Sequence, residues 1–265
     1  MTTSIHPTAI IEPGAEIGKG VSIGPYCHVG PKVVLHDHVH IQSHVVLSGR
    51  VTIHQNTRIF PFVSLGASPQ FNKEKVEDSG ELIIGESVIL REHGTINIGT
   101  PKWGNKTTIG DKCFFMTGAH VGHDCHVGDN VILTNHVSLG GHCILGDYVI
   151  VGGLSGIHQF VRIGDHAFVG GMSGVENDVI PYGSVYGNRA SLRGLNLVGL
   201  KRRGFNRETI DELRFAYRLL FADEGSFAER VQFVSEKYAD NVLIHNMVRF
   251  IQKDSTRTVC MPTVK

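Results

Sequence analysis

A six-residue hydrophobic period runs through most of this 265-residue chain, and neither a helix nor an ordinary strand repeats at six. Ile5, Ile11, Ile17, Ile23, Val29, Leu35, Ile41, Leu47, Ile53, Ile59 and Leu65 all fall on it. Two places before most of them stand small or β-branched residues: Ala9, Ala15, Val21, Cys27, Val33, Val39, Val45, Val51, Thr57 and Val63. Such a repeat fits a β-solenoid of hexapeptide units, in which each short strand sends two residues inward and the chain then turns a corner. Gly18, Gly24, Gly30 and Gly66 directly follow an aliphatic member, where a corner is crowded. The register predicts Ile53 and Leu133 facing inward.

The period is interrupted twice. Residues 67–81 are polar and carry both signs of charge, and 99–106 hold a shorter insertion, Gly99-Thr100-Pro101-Lys102-Trp103-Gly104-Asn105. Between the insertions the repeat passes Ile84, Leu90 and Ile96. After them it runs from Ile109 to Val175. Loops that break a regular scaffold are where function concentrates. The pattern fades near Pro181, Tyr186-Gly187-Asn188 reads as a turn, and past about 190 the period becomes helical. Asn206, Ser226 and Asn241 read as N-caps, Ser226 with Glu229 in capping-box form. The expected organisation is a β-helix over 1–188, with loops near 67–81 and 99–106, and a helical domain over 189–265 that covers the coil.

The formal net charge is +0, which points away from nucleic acid and from a polybasic membrane anchor. No apolar run reaches the ~18 residues of a membrane span, so no integral membrane segment is expected. No charged-then-apolar leader opens the chain, and a cytoplasmic protein is expected. Cys27, Cys113, Cys125 and Cys143 occupy the small inward place of the hexad and read as buried thiols rather than metal ligands, since no C-x-x-C pair is present.

The candidate chemistry lies in Gly118-Ala119-His120-Val121-Gly122-His123-Asp124-Cys125. His123 and Asp124 fall between inward positions, where side chains need not enter the core. If three hexads make one coil, eighteen residues return to the same edge. His142 and His158 then share a column with His123 to within one residue, on coils ~4.8 Å apart. A carboxylate beside an imidazole fixes its tautomer and raises its basicity, which suits Asp124 and His123 to general-base work.

Four motifs extend this reading: the stretch from Gly118 to Cys125, Gly140-Gly141-His142, Ile157-His158-Gln159-Phe160 and Leu200-Lys201-Arg202-Arg203-Gly204-Phe205. In this order they resemble the acyl-carrier-protein-dependent UDP-N-acetylglucosamine O-acyltransferases, from about Ile5 to about residue 222 and more weakly beyond. The resemblance implies a left-handed parallel β-helix, an exception to the usual right-handed crossover, with a C-terminal α-helical domain. It also implies a homotrimer with active sites between subunits. His123 would be the general base, Asp124 its orienting partner and the Gly141 N–H the oxyanion donor. His120, His142, His158 and Gln159 would line the groove for the UDP-sugar and pantetheine. Lys73 and Asn196 would also contact substrate. Arg202 and Arg203 would face the nucleotide phosphates and acyl carrier protein, and Gly171 would mark the end of the acyl tail. No metal or cofactor is implied, because the acyl donor is the phosphopantetheine thioester of acyl carrier protein.

The chain departs from the family pattern around the sugar. Gln70-Phe71-Asn72-Lys73 replaces Gln-Asp-Leu-Lys, with Asn72 in the place of the substitute contact. Asn97-Ile98-Gly99-Thr100 replaces His-Arg-Gly-Thr, and Val198 replaces a glutamate. These changes raise a 3-amino analogue of UDP-GlcNAc as an alternative acceptor. The later N-acyltransferase of lipid A synthesis has a domain before its coils, whereas here the hexads begin at Ile5. A γ-type carbonic anhydrase uses two zinc histidines five residues apart, a spacing absent here.

Overall fold

In the computed structural model, which describes residues 2–70 and 80–263, the hexads become very short strands separated by corners. Among the described residues the strands stack into three sheets of eleven, nine and eight members, the faces of a triangular prism. Ser4 pairs with Ser22 and Ser22 with His40 in parallel register, so one coil takes 22 − 4 = 18 residues. The insertions lengthen single steps, and the ladder carries on across them: Ser64 pairs with Thr95, and Thr95 with His120, with one register shift between Leu65 and Ala67 where the first insertion leaves the sheet.

The apolar members fill the prism. Ile53, Leu65, Val121, Leu133 and Leu139 are each 0% exposed. The first coil is the exception. Ile5 is 43% exposed because no coil stacks beneath it to close the core. The cysteines Cys27, Cys113, Cys125, Cys143 and Cys260 are buried and unpaired. The Cys125 thiol donates to the Gly140 carbonyl at 3.1 Å, and the Cys143 thiol to the His158 carbonyl at 3.3 Å.

The corners carry left-handed backbone at residues that are not glycine. Asp124, His142 and Phe160 (φ 59°, 63° and 67°) form one corner, and His136, Leu154 and Met172 (φ 56°, 59° and 56°) another. That conformation is costly for a residue with a Cβ. Bonds between coils offset the cost: the His142 amide donates to the His123 carbonyl at 2.9 Å, and the Phe160 amide to the Gly141 carbonyl at 3.0 Å. The glycines after aliphatic members answer a different need, close approach of the next coil. A Cβ on Gly24 would lie 2.8 Å from the Gln42 carbonyl carbon.

The coil ends in an antiparallel hairpin, Gly183–Tyr186 with Ser191–Leu195. The hexad pattern does not extend to its second strand. Four helices follow: α1 (Leu197–Arg202), α2 (Arg207–Leu220), α3 (Phe227–Lys237) and α4 (Val242–Gln252). Asn206, Ser226 and Asn241 cap the last three, as their sequence signatures predict, and Asn196 caps the short α1, which the sequence pattern does not single out. An Arg162–Asp178 ion pair of 2.7 Å joins helix to coil, because the same guanidinium donates to the Phe250 carbonyl at 3.2 Å. Among the described residues no helix is long and apolar enough to cross a membrane.

The closed middle of the prism and its open first coil respond differently to truncation. Leu133→Ala is expected to lower unfolding free energy by about 2–5 kcal/mol. Ile5→Ala, already half in water, is expected to cost less than about 1 kcal/mol. Urea unfolding of the two variants checks this, and equal losses would contradict the assignment of the core.

Candidate active site

The second insertion roofs one corner and creates a buried polar cluster there. Asp124 is held first by its backbone, whose N–H donates to Thr107 Oγ1 at 2.9 Å. From the insertion, the Thr100 amide donates to Asp124 Oδ1 at 2.7 Å and the Thr100 hydroxyl to Oδ2 at 2.8 Å. His123 Nδ1 lies 2.7 Å from Oδ2. With the carboxylate as acceptor, Nδ1 carries the proton and Nε2 becomes the ring's basic atom. His123 and Asp124 are 9% and 3% exposed. They do stand outside the hexad core, but under a roof rather than on an open face.

Two glycines shape the space beside the ring. A Cβ on Gly141 would sit 2.5 Å from His123 Nε2, so only glycine leaves the imidazole its place. A Cβ on Gly122 would sit 2.9 Å from the Gly141 nitrogen, and its absence keeps that N–H open. The Gly141 N–H donates to no group among the described residues. Both glycines and His123 line a groove of about 480 Å³ together with His120, Ile157 and His158. Its floor is the outward column His120, Ser138, Gly156 and Gly174, whose side chains shrink from an imidazole to nothing.

The three histidines do not form one column. The left-handed corner aligns His142 with Asp124 and Phe160, one place beyond His123, and His158 aligns with Gly140 and Gly122. His142 therefore packs behind the base. Its ring stacks on Phe160 at 4.4 Å, meets Trp103 at 4.9 Å and stands edge-on to His123 at 4.8 Å. His142 Nδ1 is 3.8 Å from Asp124 Oδ2. Burial pushes the His142 pKa down, against the pull of Asp124. Burial, with help from His123, also lowers that of His120, whose Nδ1 bonds the Thr95 hydroxyl at 2.8 Å.

Other expected residues lie elsewhere. Gln159 shares the His123 corner and is exposed. Gly171 precedes Met172 on a different corner of the prism, away from His123. Asn196, Arg202 and Arg203 line a separate cavity of about 520 Å³ with Phe168, Tyr186 and Val198. Asn196 caps α1 through Gly199 N–H at 3.0 Å and donates to the His166 carbonyl at 2.9 Å, so its amide has a structural task. Arg203 donates to the Tyr148 carbonyl at 2.8 Å. Asn72 and Lys73 lie outside the described residues. Asn97 lines the groove and ties down the start of the first insertion, donating to the Ala67 and Ser68 carbonyls at 3.2 and 3.0 Å. Sequence reasoning misses Thr100, Thr107, Trp103 and Arg257. Only the position of the first three, in or beside an insertion, hints at a role.

Among the described residues, His123, Asp124 and His142 bring ligand atoms within 4.8 Å of one another, close enough to share a metal ion. Their donors are arranged otherwise. Both Asp124 oxygens already accept from Thr100, and His123 Nδ1 points its proton at the carboxylate. An ion there would have to break that network, so the cluster reads as an oriented base.

Comparison with known proteins follows the same line. Residues 178–260 match a family described as UDP N-acetylglucosamine O-acyltransferase, domain 2. Residues 14–49 and 106–141 match the bacterial transferase hexapeptide repeat. An acyl-[acyl-carrier-protein]–UDP-N-acetylglucosamine O-acyltransferase of Caulobacter vibrioides is 54% identical over 259 residues, 98% of each chain. A crystal structure of a UDP-N-acetylglucosamine acyltransferase superposes with TM-score 0.94 at 42% identity, covering 98% of this chain and 100% of the other. The Francisella novicida UDP-N-acetylglucosamine acyltransferase gives TM-score 0.93 at 34% identity, covering 97% and 94%. The fold is thus a left-handed parallel β-helix with a C-terminal helical region.

The lowered histidine pKa values have a consequence for stability. Unfolding frees His120 and His142 to take protons near pH 6.5, while the folded chain holds them neutral to lower pH. Stability rises with pH wherever the unfolded chain binds more protons. It is therefore expected to fall as pH drops below 6.5, until the folded groups titrate. His142→Phe keeps a ring between Trp103 and Phe160 but takes no proton, and should flatten that slope in unfolding measurements from pH 7 to 5. An unchanged slope would contradict the assignment.

Proposed function

The chain belongs to the acyl-[acyl-carrier-protein]–UDP-N-acetylglucosamine O-acyltransferase family, and on that premise we propose how its groove transfers a 3-hydroxyacyl chain from acyl carrier protein to the 3-position of UDP-N-acetylglucosamine, the first step of lipid A biosynthesis. The observation that carries the roles is the juxtaposition of the His123 imidazole and the open Gly141 N–H on one groove wall.

His123 Nε2 takes the proton of the sugar's 3-hydroxyl as its oxygen attacks the thioester carbonyl. The carbonyl oxygen gains charge and the Gly141 N–H donates to it. The C–S bond then breaks, and the imidazolium returns its proton to the departing pantetheine thiolate. Ester and thiol are the products, and the base is restored. Asp124 keeps His123 in the Nδ1–H tautomer and stabilises the imidazolium. The reading needs no cofactor beyond the donor's own thioester. An ester is favoured over the amide of a 3-amino acceptor, because the relatives at 54% identity are named O-acyltransferases.

A second copy of the chain completes the site. Gly171, the proposed end of the acyl track, and His123 occupy different corners of one prism. Packing prisms side by side brings one corner of a copy to the groove of the next, and a homotrimer does this three times. Arg202 and Arg203, with the exposed helical surface around them, suit acidic partners such as nucleotide phosphates and acyl carrier protein. A cytoplasmic location agrees with the unpaired cysteines.

The test is acyl transfer from 3-hydroxyacyl carrier proteins to UDP-GlcNAc and to its 3-amino analogue, with products identified by mass spectrometry. His123→Ala is expected to lower turnover by roughly 10²-fold or more, while sedimenting as the same trimer as the parent. A fully active, folded variant would overturn the base assignment, and so would activity lost only together with the trimer.

A further inference from the structure

Arg257, from the far end of the chain, reaches His158, one of the residues that line the groove. Its backbone position is fixed by the tail, which pairs back onto the coil. Val259 bridges Asp178 and Pro262 bridges Leu192. The Cys260 amide donates to the Asp178 carbonyl at 2.7 Å, and the Thr258 hydroxyl to Asn177 Oδ1 at 3.0 Å. From this anchor the guanidinium meets acceptors on two adjacent residues. Nε lies 3.2 Å from the Gln159 carbonyl oxygen and Nη2 lies 2.6 Å from His158 Nδ1.

A guanidinium offers five N–H donors, has no acceptor and stays protonated. The contact at Nδ1 therefore requires a lone pair on that nitrogen. His158 has a competing option, since Nδ1 also lies 3.3 Å from the Gln159 carbonyl and could donate to it. The two exclude each other, because one nitrogen cannot both carry a proton and accept one. The contact to Arg257 is the shorter by 3.3 − 2.6 = 0.7 Å and is assisted by charge. Arg257 Nε also already serves the Gln159 carbonyl.

We propose that Arg257 is a positioning residue that locks His158 in its Nε2–H tautomer, so that the imidazole presents a hydrogen-bond donor to the groove it lines. The ligand class follows: an oxygen acceptor, such as a phosphate or carbonyl oxygen of the bound substrate. In the opposite tautomer, Nε2 would turn a lone pair toward that oxygen and repel it. What fills the groove rests on the acyltransferase reading, whereas the lock itself does not.

The experiment is NMR of the full-length chain carrying ¹⁵N-labelled histidine, with the His158 signals identified by their loss in His158→Gln. The parent is expected to show Nδ1 unprotonated and Nε2 protonated. Arg257→Met, which keeps the side-chain bulk without donors, should reverse this, and Arg257→Lys should restore the parent pattern. A merely structural role for Arg257 would not move the tautomer. In the acyl-transfer assay Arg257→Met is expected to raise KM roughly ten-fold, with kcat changed less and Arg257→Lys recovering most of the loss. A parent His158 protonated at Nδ1, or a tautomer unmoved in Arg257→Met, would overturn the lock. A reversed tautomer with unaltered KM would overturn its link to binding. If the parent transfers no acyl chain at all while the spectra behave as expected, the acyltransferase reading falls and the lock stands.

Discussion

The site depends on one buried carboxylate. Taking Asp124 out of water costs several kcal/mol unless its oxygens are satisfied. Here they accept from the Thr100 amide, the Thr100 hydroxyl and His123 Nδ1, all within 2.8 Å. Hydrogen bonds to a charged group contribute about 1.5–3 kcal/mol each, so this set offsets the burial. The insertion and the carboxylate therefore need each other. Without the loop Asp124 would stand in water at an ordinary corner, and without Asp124 the loop would lose its anchor.

The solenoid explains why so small a change suffices. Most of the described coils repeat a left-handed corner, two inward residues and an amide bond to the neighbouring coil. The result is a rigid surface on which a side chain is placed to within a fraction of a coil step, as a positioned base requires. Specificity must then come from what breaks the repeat: a loop over one corner, glycines where side chains would close the groove, and a tail that returns from the helices to touch His158.

Much of this is legible in the sequence, for a physical reason. A six-residue period constrains which residues face inward over many coils at once, so the burial of Ile53 and Leu133 follows from the pattern alone. Helix caps at Asn206, Ser226 and Asn241 are readable because they are local. His123, Asp124 and Gly141 stand out through motif resemblance. Partners distant in sequence cannot be read this way. Thr100 finds Asp124 across 24 residues, and Arg257 finds His158 across 99. Periodicity also misplaces His142 and His158 by treating the corner as a point. The left-handed residue makes it a step, and one place along the chain separates a ring that faces the groove from one packed behind it.

The most direct test of the account is a double-mutant cycle on kcat/KM for acyl transfer, using Thr100→Val and Asp124→Asn. If Thr100 acts on the chemistry only through Asp124, the two losses are strongly non-additive and the double variant is no worse than Asp124→Asn alone. If the losses instead multiply as independent effects, Thr100 and Asp124 act separately. The carboxylate held by the loop would then not be what makes His123 a base.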